Sequence, residues 1–202
     1  MAQKIEPLVD IAIVVAVSAL AAAIEDLANA WGWIAIGPEA RGVGAVLGGA
    51  AAAIAVVLIR GGSLRDLGLK QPRRWTLVPL QVAAILIVFI GAQLLIPQAL
   101  SLFVSMPEPD FSRYDAVAGN LANALTLALL LPLTASIPEE IIYRGFLIGR
   151  LSAVFGWDRG GAIMSVLVQA LLFSAVHFMW GIGGMLMTLI MGLIWGTAYL
   201  LC

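Results

Sequence analysis

The sequence predicts an all-α, polytopic membrane protein: a transmembrane helical bundle of about six spans with its N-terminus in the cytoplasm. Of its 202 residues, 62% are hydrophobic and only 11% are charged, whereas soluble domains are apolar at about half of their positions. The mean hydropathy is +1.03. Long apolar runs are separated by charges, glycine and proline, which is the pattern of helices that cross a lipid bilayer.

Composition excludes a nucleic-acid partner, an internal disulfide and a zinc site of the Cys/His kind. Eleven Lys and Arg against twelve Asp and Glu give a formal charge of −1, so we expect no basic surface for a nucleic acid. Cys202 is the single cysteine, and an internal disulfide is therefore impossible. With His177 as the single histidine, the chain cannot build a zinc site of the usual Cys/His kind. Any metal would depend on carboxylates.

Six apolar runs are long enough, or nearly so, to cross a membrane. The first resembles a signal peptide in its alanine content, but Glu6 and Asp10 do not fit a positively charged leader, so we expect a retained helix. Prolines in the third and fourth runs predict bends. The six runs cover residues 8–30, 42–59, 77–104, 117–151, 161–180 and 184–202.

Charge asymmetry predicts the orientation. The connection after the second run is basic, whereas the connections after the first and third runs are mainly acidic. By the positive-inside rule the basic connection is cytoplasmic, and an even number of spans puts both termini there as well. Residues 64–75 are compatible both with an interfacial amphipathic segment and with a solvated loop. The basic residues are Arg60, Arg65, Lys70, Arg73 and Arg74.

Four ionisable residues lie within or beside the predicted spans, where a charge costs about 2.5 to 3.5 kcal/mol at a helix centre. Glu140 and Arg144 are four residues apart and are therefore predicted to pair on one helix face. Glu139 points to another face, and a carboxylate in an apolar, partly dry site is suited to proton transfer. The fourth residue, His177, follows Phe173 by one helical turn.

If Glu139 and His177 meet across two helices, they could hold and deprotonate one water, with Glu139 as general base. This requires Glu139 at mid-depth, for instance with residues 126–150 crossing the bilayer. Two other interpretations stay open: a solvated helix end for the acidic motif, and a hydrogen-bonded structural role for the histidine. Proton or ion transport by the same cluster is a further hypothesis, although no inverted repeat accompanies it.

At these residues the chain resembles the CPBP family, the CAAX proteases and bacteriocin-processing enzymes that carry the Abi domain. Residues 139–144 match the family motif Glu-Glu-x-x-x-Arg and are followed by Gly145. Residues 173–177 match its Phe-x-x-x-His motif. A weaker match is the Leu-Gly-Leu segment within residues 64–69. The resemblance covers about residues 64–202.

The resemblance implies an intramembrane endopeptidase, a hydrolase in which Glu139 and His177 activate water inside a cavity. The family implies positioning roles in that cavity for Glu140 and Arg144. The family has been described both as a metalloprotease and as glutamate-dependent without metal. The ligand count of this chain favours the second description, so we expect no cofactor and no metal site.

The resemblance also implies partners and a location. We expect Phe173 and Tyr143 to line the substrate cavity. The expected partners are the lipid bilayer and a peptide or membrane-protein substrate, prenylated in the eukaryotic members of the family. The expected location is a bacterial inner membrane, with the active site facing the cytoplasmic side.

The chain departs from the family pattern at its C-terminal end. We divide it into two N-terminal transmembrane helices in residues 1–60 and a CPBP-type transmembrane domain in residues 61–202. A further family motif, His-x-x-x-Asn, is absent from the sequence. We therefore expect the domain to be truncated and the enzyme to be impaired, since losing an oxyanion donor costs about 10² to 10³ in rate. The alternative function is a non-catalytic membrane protein, such as a bacteriocin immunity factor or a partner-binding scaffold.

Overall fold

The computed structural model describes residues 2–201, with side chains from residue 6 onward, and Cys202 lies outside the described residues. Helix accounts for 79% of the structure, and the described residues contain no strand. The predicted class, a polytopic all-α membrane protein, is confirmed.

Eight α-helices follow one another along the described chain. Two π-helical segments, Pro132–Ser136 and Glu140–Leu147, join α4, α5 and α6 into one continuous helical run, Leu121–Phe155. The α-helices are α1 (Ala2–Ala30), α2 (Val43–Ile59), α3 (Val78–Ser101), α4 (Leu121–Leu131), α5 (Ile137–Glu139), α6 (Ile148–Phe155), α7 (Arg159–Ala175) and α8 (Gly181–Leu201).

Five of the six expected spans are confirmed by length and composition among the described residues. The exception is α7, which has 17 residues and is therefore only about 26 Å long at 1.5 Å per residue. This is slightly less than the hydrocarbon core of about 30 Å. The five candidate spans are Glu6–Ala30, Pro38–Ile59, Trp75–Ser101, Leu121–Phe155 and Phe178–Leu201.

The chain divides into two compact units. Unit 1 contains the chain up to Leu69 and the segment Phe111–Val154, and so includes α1, α2 and most of the run Leu121–Phe155. Unit 2 contains Lys70–Asp110 and the chain from Phe155 onward, and so includes α3, α7 and α8.

In unit 1, small residues allow α1 and α2 to approach closely. A Cβ atom added at Gly48 would lie 2.8 Å from the Cβ of Ala21. At the N-terminus of α2, the buried carboxylate of Glu25 accepts hydrogen bonds from the backbone amides of Gly42, at 2.7 Å, and Gly44. Since these amides have no partner within the helix, a carboxylate there also stabilises the positive end of the helix dipole.

At the opposite end of these helices, Asp10 joins three segments of unit 1. Its carboxylate is buried and accepts hydrogen bonds from Arg60 Nη2, at 2.9 Å, and Arg60 Nε, at 3.1 Å. The other oxygen lies 3.0 Å from Arg150 Nε. The hydrogen bond to Asp10 raises the pKa of Arg60 above its ordinary value, so this arginine stays charged at every accessible pH. Asp10 therefore fixes α1 to the end of α2 and to α6.

In unit 2, α7 and α8 pack through small and polar residues. A Cβ atom added at Gly192 would lie 2.9 Å from the Cα of Ala170, so glycine is what allows this approach. The Ser174 hydroxyl donates to the carbonyl of Met185 at 2.6 Å. These contacts hold the last turn of α7 beside the first turns of α8.

We predict that Asp10→Asn lowers the free energy of unfolding by about 1.5 to 3 kcal/mol, the range for hydrogen bonds to charged groups. The substitution keeps the shape of the side chain but removes the charge that compensates Arg60 and Arg150. Thermal unfolding in detergent measures the effect as a lower Tm.

The matched control is Asp26→Asn, which removes the same charge from an exposed position of α1. Its Tm should equal that of the unmodified protein. An equal loss of stability in the two variants would show that Asp10 does not join the three segments.

Candidate active site

The acidic motif lies where the run Leu121–Phe155 changes from α-helix to π-helix. Glu139 is the last residue of α5, and Glu140 begins the π-helical segment Glu140–Leu147. Pro132 and Pro138 lack a backbone N–H, so the regular hydrogen-bond ladder of an α-helix cannot continue through them. Wide π-turns inside α-helices occur frequently at functional sites, and the two glutamates lie on either side of the point where this one begins.

Arg144 and Glu140 form the ion pair that their spacing predicts. The Nη1 atom of Arg144 lies 3.0 Å from Oε1 of Glu140. The Arg144 side chain is 1% exposed and the Glu140 side chain 41% exposed. Because an uncompensated buried guanidinium would be strongly destabilising, the pair allows this arginine to exist inside the fold.

Glu139 differs from Glu140 because it has no ion-pair partner among the described residues. It is partly exposed, and within residues 6–201 no cationic group lies within 4.0 Å of its carboxylate. A carboxylate without a fixed ion pair keeps its oxygens available to accept a proton.

The contacts of unit 1 also show where Glu139 lies along its helical run. Arg113 donates to the carbonyls of Glu39, at 3.3 Å, and Arg41, at 3.0 Å, so the run Leu121–Phe155 starts near the loop between α1 and α2. Arg150, near its other end, binds Asp10. Glu139 is about 16 Å from Arg150 along the helix, at about 1.5 Å per residue. It therefore lies between the two ends of this helical run, and its depth in a bilayer stays a prediction.

The Leu-Gly-Leu segment packs directly against the acidic motif. A Cβ atom added at Gly145 would collide with the backbone carbonyl of Leu67. Leu67 is 3% exposed and ends a short 3₁₀ turn, Leu64–Leu67. The backbone amide of Ser63, just before the turn, donates to the Asp66 carboxylate at 2.7 Å. Gly68 follows with a φ of +78°, which glycine adopts without strain. The Leu-Gly-Leu segment and the glycine after the acidic motif are thus two sides of one contact.

The Phe-x-x-x-His motif, residues 173–177, forms an aromatic turn in unit 2. The ring of His177 lies 4.7 Å from the ring centroid of Phe173 and 4.7 Å from that of Trp180. His177 Nδ1 is 2.7 Å from the carbonyl oxygen of Phe173. A carbonyl accepts and never donates, so Nδ1 carries the proton and Nε2 is the basic nitrogen. The turn therefore fixes which nitrogen could bind a water.

The predicted site residues fall into two groups. Tyr143 lies with both glutamates and Arg144 in unit 1, whereas Phe173 and His177 lie in unit 2. The hypothesis that Glu139 and His177 share one water stays a prediction. Among the described residues, no group of three or more His, Cys, Asp or Glu could hold a metal ion.

Sequence reasoning missed two residues of unit 2. The ring of Trp180 packs against the ring of His177. Its position three residues after His177 was the sequence signal that could have predicted this contact. Gln169 is 0% exposed, and its carboxamide has no hydrogen-bond partner among the described residues. It lies four residues before Phe173 on the same side of α7. A buried polar side chain without a partner lowers stability. A residue such as Gln169, on the helix that leads to His177, is therefore typical of a functional position.

Together, the helices and the acidic motif define an all-helical membrane protein with a polar site inside its membrane-spanning part. Residues 121–202 match the family model described as type II CAAX prenyl endopeptidase Rce1-like. Over these residues the match confirms the resemblance to the CPBP family, the CAAX proteases. No curated protein and no solved structure matches the chain.

We predict that Gly145→Ala lowers the free energy of unfolding by about 1 to 3 kcal/mol, because the added methyl group must displace the backbone at Leu67. The control is Gly149→Ala in the next turn, where a Cβ atom meets nothing within 4 Å. That variant should be neutral or more stable, since alanine favours a helix over glycine by up to about 1 kcal/mol. Equal Tm values for the two variants would disprove the contact.

We predict that Gln169→Leu keeps or raises the Tm, because it removes a buried carboxamide that lacks a protein partner. The comparison is Ser174→Ala, which deletes the hydrogen bond to Met185 and should cost about 1 kcal/mol. A clear fall in Tm for Gln169→Leu, measured in the same detergent, would contradict the prediction.

Proposed function

We propose that this protein is a glutamate-dependent intramembrane endopeptidase of the CAAX protease kind. The observation that carries the proposal is the state of Glu139: a carboxylate inside the membrane-spanning run, without an ion-pair partner among the described residues, beside the fixed pair of Glu140 and Arg144. This residue lies in the part of the chain that matches the family.

In the proposed reaction, Glu139 accepts a proton from a water molecule as its oxygen attacks the carbonyl carbon of a peptide bond. His177 Nε2 accepts the second hydrogen bond of that water, since Nδ1 is held by the Phe173 carbonyl. When the carbon–nitrogen bond breaks, the proton on Glu139 passes to the leaving amine. The carboxylate is regenerated, and the water has been divided between the two products.

Glu140, Arg144, Tyr143 and Phe173 have supporting roles in this proposal. The ion pair of the first two keeps the helix charge-compensated, so that Glu139 is the acidic group left to move a proton. Tyr143 and Phe173 line the peptide cavity. The mechanism requires no metal cofactor. The substrate is a peptide or membrane-protein segment, prenylated where the family description applies, and the location is a bacterial inner membrane.

We predict that Glu139→Gln lowers cleavage by about 10² to 10⁴-fold, the contribution typical of a general base. The assay uses purified protein in detergent and a farnesylated peptide ending in a CAAX sequence. The variant should keep its Tm, because Glu139 has no ion pair to lose.

Glu140→Gln is the informative comparison. It removes the partner of a buried arginine, so we expect both Tm and cleavage to fall. Exposed Glu6→Gln should change neither. Undiminished cleavage by Glu139→Gln would overturn the proposal, and a wild-type protein without cleavage would favour the non-catalytic alternative.

A further inference from the structure

One face of α2 packs against the segment that carries the acidic motif. The buried residues of α2 are small, and they recur at intervals of three or four, so they form a stripe along one side of the helix. Ala50 and Ala53 belong to the same apolar cluster as Ile141, which directly follows Glu140. The helix also contacts α5, whose last residue is Glu139. The chain before and after the two glutamates therefore lies against α2.

Gly49 is the point where three segments of unit 1 meet. A Cβ atom added there would collide with the hydroxyl oxygen of Ser18 on α1 and would lie 3.0 Å from Cδ1 of Ile142. Gly49 is buried, and Ile142 is half-buried against the apolar cluster. Because a protein interior is close-packed and overpacking shifts its neighbours, a side chain at this position must displace Ser18, Ile142 or both.

A displacement of Ile142 reaches Glu139 within one turn of the helix. Glu139 ends α5, and Ile142 is the third residue of the π-helical segment that follows. Pro138 has no backbone N–H, so one hydrogen bond of the helical ladder is missing next to Glu139. The backbone at Glu139 is therefore held by fewer hydrogen bonds of its own helix, and its position depends more on the contacts with α2.

We infer that Gly49 is a positioning residue for the acidic motif: by leaving room for Ile142, it lets α2 hold Glu139 where its carboxylate reaches the water of the reaction. The use of that position in cleavage rests on the proposed function. Position matters because a misplacement of 1 Å can cost about 10²-fold in rate. The inference also gives a task to α1 and α2, which precede the residues that match the family model.

The neighbouring glycine provides a matched control. A Cβ atom added at Gly48 would lie 2.8 Å from the Cβ of Ala21, and its nearest neighbours all belong to α1. Gly49→Ala and Gly48→Ala thus insert the same methyl group at adjacent positions of α2, but only the first meets Ile142. Each variant is measured in detergent for its Tm, for kcat and KM with the farnesylated peptide, and for backbone hydrogen exchange across residues 139–148.

We expect both variants to have a lower Tm, because both overpack the contact between α1 and α2. Only Gly49→Ala should lower kcat, by about tenfold, with KM unchanged, as expected when a reacting group is misplaced but the peptide still binds. Only Gly49→Ala should also speed hydrogen exchange across residues 139–148. An equal loss of kcat in Gly48→Ala would overturn the inference.

Two double variants separate the two contacts of Gly49. Ile142→Val removes Cδ1, the atom that the added methyl group meets, and should restore kcat and slow hydrogen exchange in the Gly49→Ala background. Ser18→Ala removes the hydroxyl group on α1, and in the same background it should raise Tm without restoring kcat. Rescue of kcat by Ser18→Ala, or no rescue by Ile142→Val, would contradict the positioning role.

Hydrogen exchange keeps the inference separate from the proposed function. If the unmodified protein cleaves no peptide, the proposed function fails, and the exchange rates still decide whether Gly49 positions the motif. If the unmodified protein cleaves while Gly49→Ala keeps its kcat and its exchange rates, the positioning role fails and the peptidase assignment stands. Should Gly49→Ala not fold, Ile142→Ala deletes the same contact and should speed exchange and lower kcat; unchanged values there would overturn the inference.

Discussion

The structure depends first on how a guanidinium is accommodated inside a membrane-spanning helix. Arg144 is almost fully buried and is compensated by Glu140 one turn away. This pairing commits one of two adjacent glutamates to a structural role. The other, Glu139, keeps a carboxylate that the fold does not need for charge balance. In the proposed function, Glu139 is the glutamate that moves a proton, because Glu140 is held in the ion pair with Arg144.

Ion pairs of a buried carboxylate also connect the N-terminal helices to the helical run that carries the acidic motif. Asp10 on α1 compensates arginines from the end of α2 and from α6. At the other end of α2, Glu25 binds the backbone amides of the helix N-terminus. Within unit 1, glycine also permits close backbone approach, most directly where Gly145 meets Leu67. The first two helices therefore form part of the support of the motif.

The aromatic turn shows how contacts within one segment fix the orientation of a side chain. A carbonyl of its own helix fixes the protonated nitrogen of His177, and two aromatic rings restrict the orientation of the imidazole. The buried carboxamide of Gln169, on the same helix, is a polar group retained at a cost in stability. Such exceptions to good packing concentrate at functional sites.

The sequence by itself determined the all-α membrane class, five of the spans, the pairing of Glu140 with Arg144 and the resemblance of the motifs to the CAAX proteases, because hydropathy, helical spacing and motif chemistry are local properties. It could not give the short length of α7, the π-helical turns at the acidic motif, or the roles of Asp10, Trp180 and Gln169. These depend on contacts between residues distant in the chain, or on the way that prolines alter a helix. Only the tertiary structure decided that Leu67 packs on Gly145 and that the segment after α3 contacts the His177 turn, since backbone approach leaves no periodic signal in a sequence.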